Sequence, residues 1–151
     1  MKKLYYISLF LVFLYGCEIF VIGSKPKPKL QEISQRSPVG TVLLFKTALD
    51  SNNVYAAVQV LASPGGSLYS GDEKADLLDD LRRFSRLIPS KPVTGFAKDS
   101  LADNSYEIFL QVDYYKIFSF NTLRIRDRWY VTDYREEKDA TKIKKFDDIK
   151  Y

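Results

Sequence analysis

The sequence predicts an α+β domain in which three N-terminal helices pack on a curved antiparallel sheet of four or more strands. Three observations predict this class. Between residues 37 and 88 the apolar residues recur at helical spacing, and after Pro92 they alternate with polar residues as strands do. Short polar turns separate the alternating runs, which favours an antiparallel meander.

Turn and capping signals delimit the first two helices. Ser37 suits a helix N-cap and Pro38 suits the first helical position, so helix one is expected to begin there. The second helix carries its apolar residues at helical spacing: Val54, Ala57, Val58 and Leu61. The Ser-Pro-Gly-Gly run at residues 63–66 is expected to end it.

The third helix has the clearest signals. Ser70 and Glu73 have capping-box spacing, in which each side chain bonds the other residue's backbone N–H. Its apolar stripe consists of Leu77, Leu81, Phe84 and Ile88. Pro89 and Pro92 are expected to end the helix.

Period-two alternation divides the sheet residues between two faces. A first strand is predicted over 93–98, with a turn at 102–104. In the second strand one face carries Tyr106, Ile108, Leu110, Val112 and Tyr114. The other face carries Glu107, Phe109, Gln111, Asp113 and Tyr115.

The third strand changes parity partway along its length. Phe118 and Phe120 continue the apolar face, whereas Leu123 and Ile125 fall on the opposite parity. A one-residue bulge near 121–122 would restore the register. After a turn at 126–128, a last strand is predicted over 129–134.

The N-terminus has the pattern of an export signal. Lys2 and Lys3 precede an apolar run from Leu4 to Leu14, and Gly16 precedes Cys17, the one cysteine of the chain. The segment resembles the lipobox of bacterial lipoproteins, in which a diacylglycerol is attached to the cysteine. The resemblance implies lipid attachment at Cys17 and a location in the bacterial cell envelope, anchored on the extracytoplasmic side of a membrane.

Two alternatives to the lipobox remain open. Val21, Ile22 and Gly23 form an ordinary signal-peptidase site before Ser24. The apolar segment from Leu4 to Gly23 is also long enough to span a bilayer as an uncleaved anchor. All three alternatives place the folded domain outside the cytoplasm.

The chain therefore divides into four segments: a signal peptide at 1–16, a lipidated tether at 17–36, the α+β domain at 37–135 and a charged tail at 136–151. Alternating Lys and Pro at 25–29 favours an extended spacer. In the tail, Ile143, Phe146 and Ile149 have the spacing of a short docking helix.

Composition limits the kinds of catalytic and metal-binding sites that the chain can form. The chain has no histidine, so the usual general base at neutral pH and the Ser-His-Asp systems are absent. A single cysteine with no histidine also removes the commonest zinc sites, and we expect neither a cofactor nor a metal. Loss of Lys2 and Lys3 with the leader lowers the formal charge from +4 to +2, which gives no support for nucleic-acid binding.

The order of elements and the last strand, Trp-Tyr-Val-Thr-Asp-Tyr at 129–134, resemble the nuclear-transport-factor-2-like superfamily of cone-shaped α+β domains. The resemblance covers roughly residues 37–135. It implies a cavity between sheet and helices, in which Asp133, Tyr55, Tyr114 and Trp129 are the candidate residues. If Trp129 and Val131 point inward, alternation places Asp133 on the same face, where burial would raise the pKa of its carboxyl as in an isomerase base.

The resemblance also implies a homodimer through the outer sheet face, formed by Phe109, Gln111, Asp113 and Tyr115. The alternative is that the C-terminal tail covers part of this face. At the far end of the sheet, Arg124, Arg126 and Arg128 are candidates to meet lipid head groups or an anionic partner, with a solvated edge as the simpler interpretation.

We carry three functional hypotheses from the sequence. The leading one is a non-catalytic, membrane-tethered domain that binds a protein partner or a small apolar ligand. The others are a small isomerase or lyase that uses Asp133 and a structural subunit of the cell envelope. An open cavity with Asp133 facing into it would favour the enzyme, and an open apolar cavity would favour ligand carriage. A cavity filled by its own aromatic side chains would favour assembly through the sheet face.

Overall fold

The structure is a computed structural model and describes residues 32–88, 90–139 and 141–142. These residues form three helices, α1 (Pro38–Asp50), α2 (Val54–Gln59) and α3 (Gly71–Leu87), and four strands, β1 (Val93–Ala102), β2 (Ser105–Val112), β3 (Lys116–Ile125) and β4 (Arg128–Glu136). The strands form one antiparallel sheet in the order β1-β2-β3-β4. The predicted α+β class, with three helices and a four-stranded antiparallel sheet, is confirmed.

The predicted helix starts are confirmed by their capping contacts. The Ser37 hydroxyl accepts a hydrogen bond from the Gly40 amide at 3.0 Å, and Pro38 occupies the first turn of α1. At α3 the Ser70 amide donates to Glu73 Oε2 at 2.7 Å, while the Glu73 amide donates to the Ser70 hydroxyl at 3.4 Å. The capping box therefore forms in both directions.

The second helix is shorter than predicted, because the backbone after Gln59 pairs with the sheet. The amide of Ala62 donates to the Val131 carbonyl at 3.0 Å, and the Val131 amide donates to the Val60 carbonyl at 2.9 Å. Leu61 is thus buried outside the helix, beside the free edge of β4. This short parallel bridge also covers part of an edge that would otherwise be open to pairing with another chain.

One hydrophobic core joins the helices to one face of the sheet. From the helices it contains, among others, Val42, Phe45, Leu49, Leu81 and Phe84. From the sheet it contains Ile108, Leu110, Val112, Phe118, Phe120 and Val131. The inward face predicted for β2 is therefore confirmed from Ile108 to Val112.

The predicted bulge lies on a different strand from the one expected. Pairing between β2 and β3 runs without a shift from Ser105 opposite Leu123 to Val112 opposite Lys116, so β3 is regular. In the next pair Asn121 lies opposite Asp133, whereas Thr122 lies opposite Val131. Thr132 is therefore the extra residue, and the bulge belongs to β4. The expectation of a bulge within β3 was wrong.

Leu123 consequently lies on the opposite face from Phe120, outside the main core. The loop between α2 and α3 lies beside it, since a Cβ added at Gly66 would stand 3.5 Å from Leu123 Cδ2, an ordinary van der Waals contact. Gly66 has a φ of +85°, a conformation that glycine adopts without the strain other residues incur.

Several sequence predictions fall outside the described residues. They are the signal peptide at 1–16, the lipid attachment at Cys17, the Lys-Pro spacer at 25–29 and the docking helix with Ile143, Phe146 and Ile149. Across the described ranges, no helix is both long and apolar enough to cross a bilayer.

Candidate functional site

Aromatic rings occupy the region between sheet and helices where a ligand cavity was expected. The Phe45 ring lies 5.4 Å from Tyr134, 6.1 Å from Phe120 and 6.4 Å from Phe84, centroid to centroid. Phe84 also contacts Phe118 edge to face at 5.9 Å. These separations are those of packed aromatic pairs, so the rings fill the core and contribute to its stability.

Asp133 lies on the outer face of the sheet. Because Thr132 is an extra residue, alternation restarts after Val131 and Asp133 points away from the core. Its carboxylate accepts from Arg135 Nη1 at 2.6 Å and from the Tyr134 amide at 2.9 Å. The expectation that Asp133 shares a face with Trp129 and Val131 was wrong, because one inserted residue reverses the parity.

The other predicted cavity residues are also spread over the molecule. Trp129 is buried, and its ring packs at a tilt against Tyr106, 5.4 Å away centroid to centroid. Tyr55 is 63% exposed on α2, where it lines a cleft of about 420 Å³ together with Asn52, Val54, Arg82, Ser85 and Arg86. Tyr114 is 77% exposed in the turn after β2. The structure does not bring these four residues together.

The outer face of the sheet is partly covered by the segment after β4. Glu107, with a side chain 7% exposed, accepts from Lys142 Nζ at 2.7 Å and from Arg135 Nη2 at 3.0 Å. The Glu137 amide donates to the Ile117 carbonyl at 2.8 Å. Lys142 Nζ also lies over the Phe109 ring, 5.9 Å from its centroid. Of the two alternatives for this face, the described residues support coverage by the tail.

The turn between β2 and β3, residues 113–115, presents two tyrosines to solvent. Tyr114 is 77% exposed and Tyr115 is 69% exposed. Sequence alternation had placed both in a strand, but β2 ends at Val112 and β3 begins at Lys116. We call residues 113–115 the tyrosine turn.

The backbone of the tyrosine turn is strained. Asp113 has a φ of +54° and Tyr114 a φ of +69°, and a left-handed conformation costs a bulky residue about 1–2 kcal/mol. Such strain persists where surrounding contacts fix the conformation, and it is frequent at binding sites.

Hydrogen bonds from both neighbouring strands hold this conformation. The Tyr114 amide donates to the Thr94 hydroxyl at 3.2 Å, and Gln111 Nε2 donates to the Tyr114 carbonyl at 2.9 Å. The Asp113 amide donates to the Pro92 carbonyl at 3.3 Å. The two exposed rings are therefore carried on a fixed turn, which lowers the entropy lost when a partner binds.

The only sequence signal for this turn is weak. Aspartate tolerates the left-handed region better than most residues, so Asp113 marks a turn. The apolar alternation from Tyr106 to Phe120 runs straight through it and hides that signal.

Local surroundings shift the pKa of Tyr134 and of Glu73. Burial, with smaller contributions from Asp80, Tyr69 and Asp133, raises the pKa of Tyr134 to about 12. Hydrogen bonds from the backbone and hydroxyl of Ser70 lower the pKa of Glu73. Within the described ranges, no group of three or more Asp, Glu, Cys or His side chains is arranged to hold a metal ion.

No protein-family model matches the chain, and no curated protein matches it. Among solved structures it is similar to a chain titled "Crystal structure of protein from Sphaerobacter thermophilus". The two are 13% identical, with a TM-score of 0.40, and the match covers 69% of this chain and 99% of that one.

Proposed function

We propose that the protein is a lipid-anchored, extracytoplasmic lipoprotein whose domain binds a protein partner through the tyrosine turn. The observation that carries the proposal is the pair of exposed rings, Tyr114 and Tyr115, on a strained and hydrogen-bonded turn. Tyrosine supplies a large contact area with little side-chain entropy to lose, and it is enriched where protein interfaces are strongest.

The filled core supports a partner bound at the surface over a small apolar ligand bound inside. Phe45, Phe84, Phe118 and Phe120 already occupy the space between sheet and helices. An apolar ligand there would have to displace packed rings, at a cost of several kcal/mol for each one.

The position of the turn in the sheet also supports the proposal. The chain enters the domain at Gln35, whose carbonyl accepts from the Trp129 amide at 2.9 Å at the start of β4. The tyrosine turn lies at the opposite end of the sheet, separated by the ten residues of β3, or roughly 30 Å. A domain tethered through its N-terminus would thus present the turn away from its attachment point.

We propose in addition that the domain has the nuclear-transport-factor-2-like arrangement, with the three helices covering one face of a curved sheet. Support comes from the shared core of α1, α3 and the inner faces of β2 and β3. An experimental structure with the helices against Phe109, on the other face, would contradict this arrangement.

Photocrosslinking tests the interaction surface. The full chain would be expressed in its own cells with p-benzoylphenylalanine in place of Tyr115 or, as a matched control, Tyr55, which is 63% exposed on α2. We expect one discrete crosslinked species from position 115, weakened by Tyr114→Ser and absent from position 55. Equal crosslinking at both positions, or none at position 115, would contradict the proposal.

The lipid anchor has a separate test. Mass spectrometry of the N-terminal peptide distinguishes the three alternatives, because lipoprotein processing leaves a diacylglycerol on an N-terminal Cys17. Cleavage after Gly23 leaves an unmodified Ser24, and an uncleaved anchor leaves Met1. We expect the lipidated Cys17 and its loss in a Cys17→Ser variant.

A further inference from the structure

The end of the sheet at which the chain enters the domain is rich in arginine. Gln35 pairs with Trp129 through both its carbonyl and its side-chain amide, at 2.9 and 3.0 Å. Exposed side chains around this point are Arg36, Arg124, Arg126 and Arg128. We call these four residues the arginine end.

Acidic residues offset only part of this charge. Glu32 lies 3.8 Å from Arg36, and Asp127 lies 3.8 Å from Arg124, both pairs being solvent-exposed. Asp103 lies in the neighbouring turn, which contacts β3 through a hydrogen bond from the Arg124 amide to the Asn104 carbonyl. Arg126 and Arg128 form no ion pair with another described residue. The surface therefore keeps a positive charge, concentrated on the turn between β3 and β4.

A cleft of about 340 Å³ opens beside this turn. Its lining consists of Leu68, Ile125, Arg126, Asp127, Arg128 and Tyr130. Two guanidinium groups suit a phosphate, which arginine binds through two parallel hydrogen bonds. Leu68, 51% exposed, and Tyr130 add an apolar side, as expected of a surface that meets both head groups and acyl chains.

Arg126 occupies its position at a conformational cost. Pairing of Ile125 with Arg128 leaves a two-residue turn, and Arg126, its first residue, has a φ of +56°. Glycine or asparagine normally takes such a position. Because glycine would avoid this strain, what Arg126 contributes at this position is its charge and not stability of the turn.

The N-terminal segment indicates that a membrane is the partner of the arginine end. From Cys17 to Glu32 there are fifteen residue steps, which span at most about 50 Å. That segment also carries Lys25, Lys27 and Lys29. If Cys17 carries the lipid, this tether joins the bilayer to the domain at the arginine end.

We propose that the arginine end docks on the anionic phospholipid surface of the membrane that anchors the protein, with a lipid phosphate in the cleft between Arg126 and Arg128. This inference rests on the proposed lipid anchor. It orients the domain, so that the tyrosine turn at the other end of the sheet points away from the membrane.

The single tryptophan of the chain makes the docking measurable. Trp129 lies next to Arg128, so resonance energy transfer from Trp129 to a dansyl-labelled lipid reports the distance of the arginine end from the bilayer. The experiment uses the full lipidated chain in liposomes of phosphatidylcholine, with or without phosphatidylglycerol. Flotation of the same liposomes measures anchoring separately.

We expect efficient transfer only with phosphatidylglycerol, and we expect it to fall as salt rises from about 0.1 M to about 0.5 M, because screening shortens the range of the attraction. Arg126→Gly and Arg128→Gln should each lower the docked-to-undocked ratio about five-fold, the contribution typical of one basic residue at an anionic surface. Arg126→Gly also relieves the left-handed strain, so its melting temperature should not fall. The matched control is Arg83→Gln, an exposed arginine on α3.

The outcomes separate the two proposals. Protein that floats but shows transfer independent of lipid charge overturns the docking inference and leaves the anchor intact. An equal effect of Arg83→Gln would overturn it too, because the response would then reflect net charge. Protein that does not float contradicts the lipid anchor, and the docking inference fails with it.

Discussion

Tyr134 shows how a single side chain ties the stability of this core to pH. Its ring lies 4.6 Å from Phe84 and 5.4 Å from Phe45, and burial raises the pKa of its hydroxyl to about 12. In the unfolded chain a tyrosine titrates near 10. The folded state therefore binds this proton more tightly than the unfolded state does.

The sign of the pH effect follows from this difference. Stabilisation from protonated Tyr134 is fully present below pH 10 and is lost as pH rises through about 12. We expect Tyr134→Phe to flatten the fall in melting temperature between pH 9 and 12. The control is Tyr115→Phe, at an exposed ring, which should leave the dependence of melting temperature on pH unchanged. If both variants show the wild-type dependence, Tyr134 is not the group responsible.

At the scale of elements, the capping box is what fixes the start of α3. Ser70→Ala removes the hydroxyl that accepts from the Glu73 amide, and loss of such a cap typically costs about 1 kcal/mol. The other half of the box depends on pH, because hydrogen bonds from the amide and hydroxyl of Ser70 lower the pKa of Glu73. The stabilisation from the Glu73 carboxylate is therefore present at neutral pH and is lost as pH falls through the pKa of the folded state. Urea denaturation at pH 7 and at low pH measures both effects.

Ser85→Ala is the matched control on the same helix. The Ser85 hydroxyl donates to the Arg82 carbonyl within α3 and caps nothing, and alanine favours a helix interior. Its free energy of unfolding should stay the same or rise slightly. A loss at Ser85 as large as that at Ser70 would mean that the cap is not what stabilises α3.

The helix starts could be predicted from sequence because their determinants are local. Ser37 with Pro38, and Ser70 with Glu73, sit within one turn of the residues they cap. The sheet face on which Asp133 lies could not be predicted in this way. It depends on whether Thr132 pairs with β3 or forms a bulge. That choice is made by packing across strands, and nothing in the run of residues 129–134 marks it.

The tyrosine turn could not be predicted from the sequence, for a related reason. Tyr114 was a candidate residue, but alternation placed it in the cavity, whereas the turn exposes it at the end of the sheet. A turn of this kind is normally identified by glycine or asparagine. Here Thr94 and Gln111 hold Asp113 and Tyr114 in the left-handed region instead, and contacts between strands are invisible to a local pattern.

At the scale of the whole molecule, the sheet separates two chemically different ends. The arginine end lies where the chain enters, and the tyrosine turn lies roughly 30 Å away along β3. Because one continuous sheet connects them, the orientation of one end determines the direction of the other. Docking of the arginine end would therefore reduce the orientational freedom that a partner must otherwise remove on binding the tyrosines.

The outer face of the sheet links the domain to its tail through Lys142. Its Nζ lies 2.7 Å from Glu107, a carboxylate whose side chain is 7% exposed. A hydrogen bond between charged groups contributes about 1.5–3 kcal/mol, and partial exposure of Lys142 places this one towards the lower end. We expect Lys142→Met, which keeps the apolar stem, to lower the free energy of unfolding by about 1–2 kcal/mol.

Lys138→Met is the control. Lys138 is exposed, and its substitution removes the same charge from the same segment. A local measurement separates tail docking from a general loss of charge. The Glu137 amide donates to the Ile117 carbonyl at 2.8 Å, so release of the tail should speed hydrogen exchange at Glu137 in Lys142→Met and not in Lys138→Met. If the two variants exchange and unfold alike, the tail does not depend on Glu107, and the outer face is available for the dimer that the family resemblance implies.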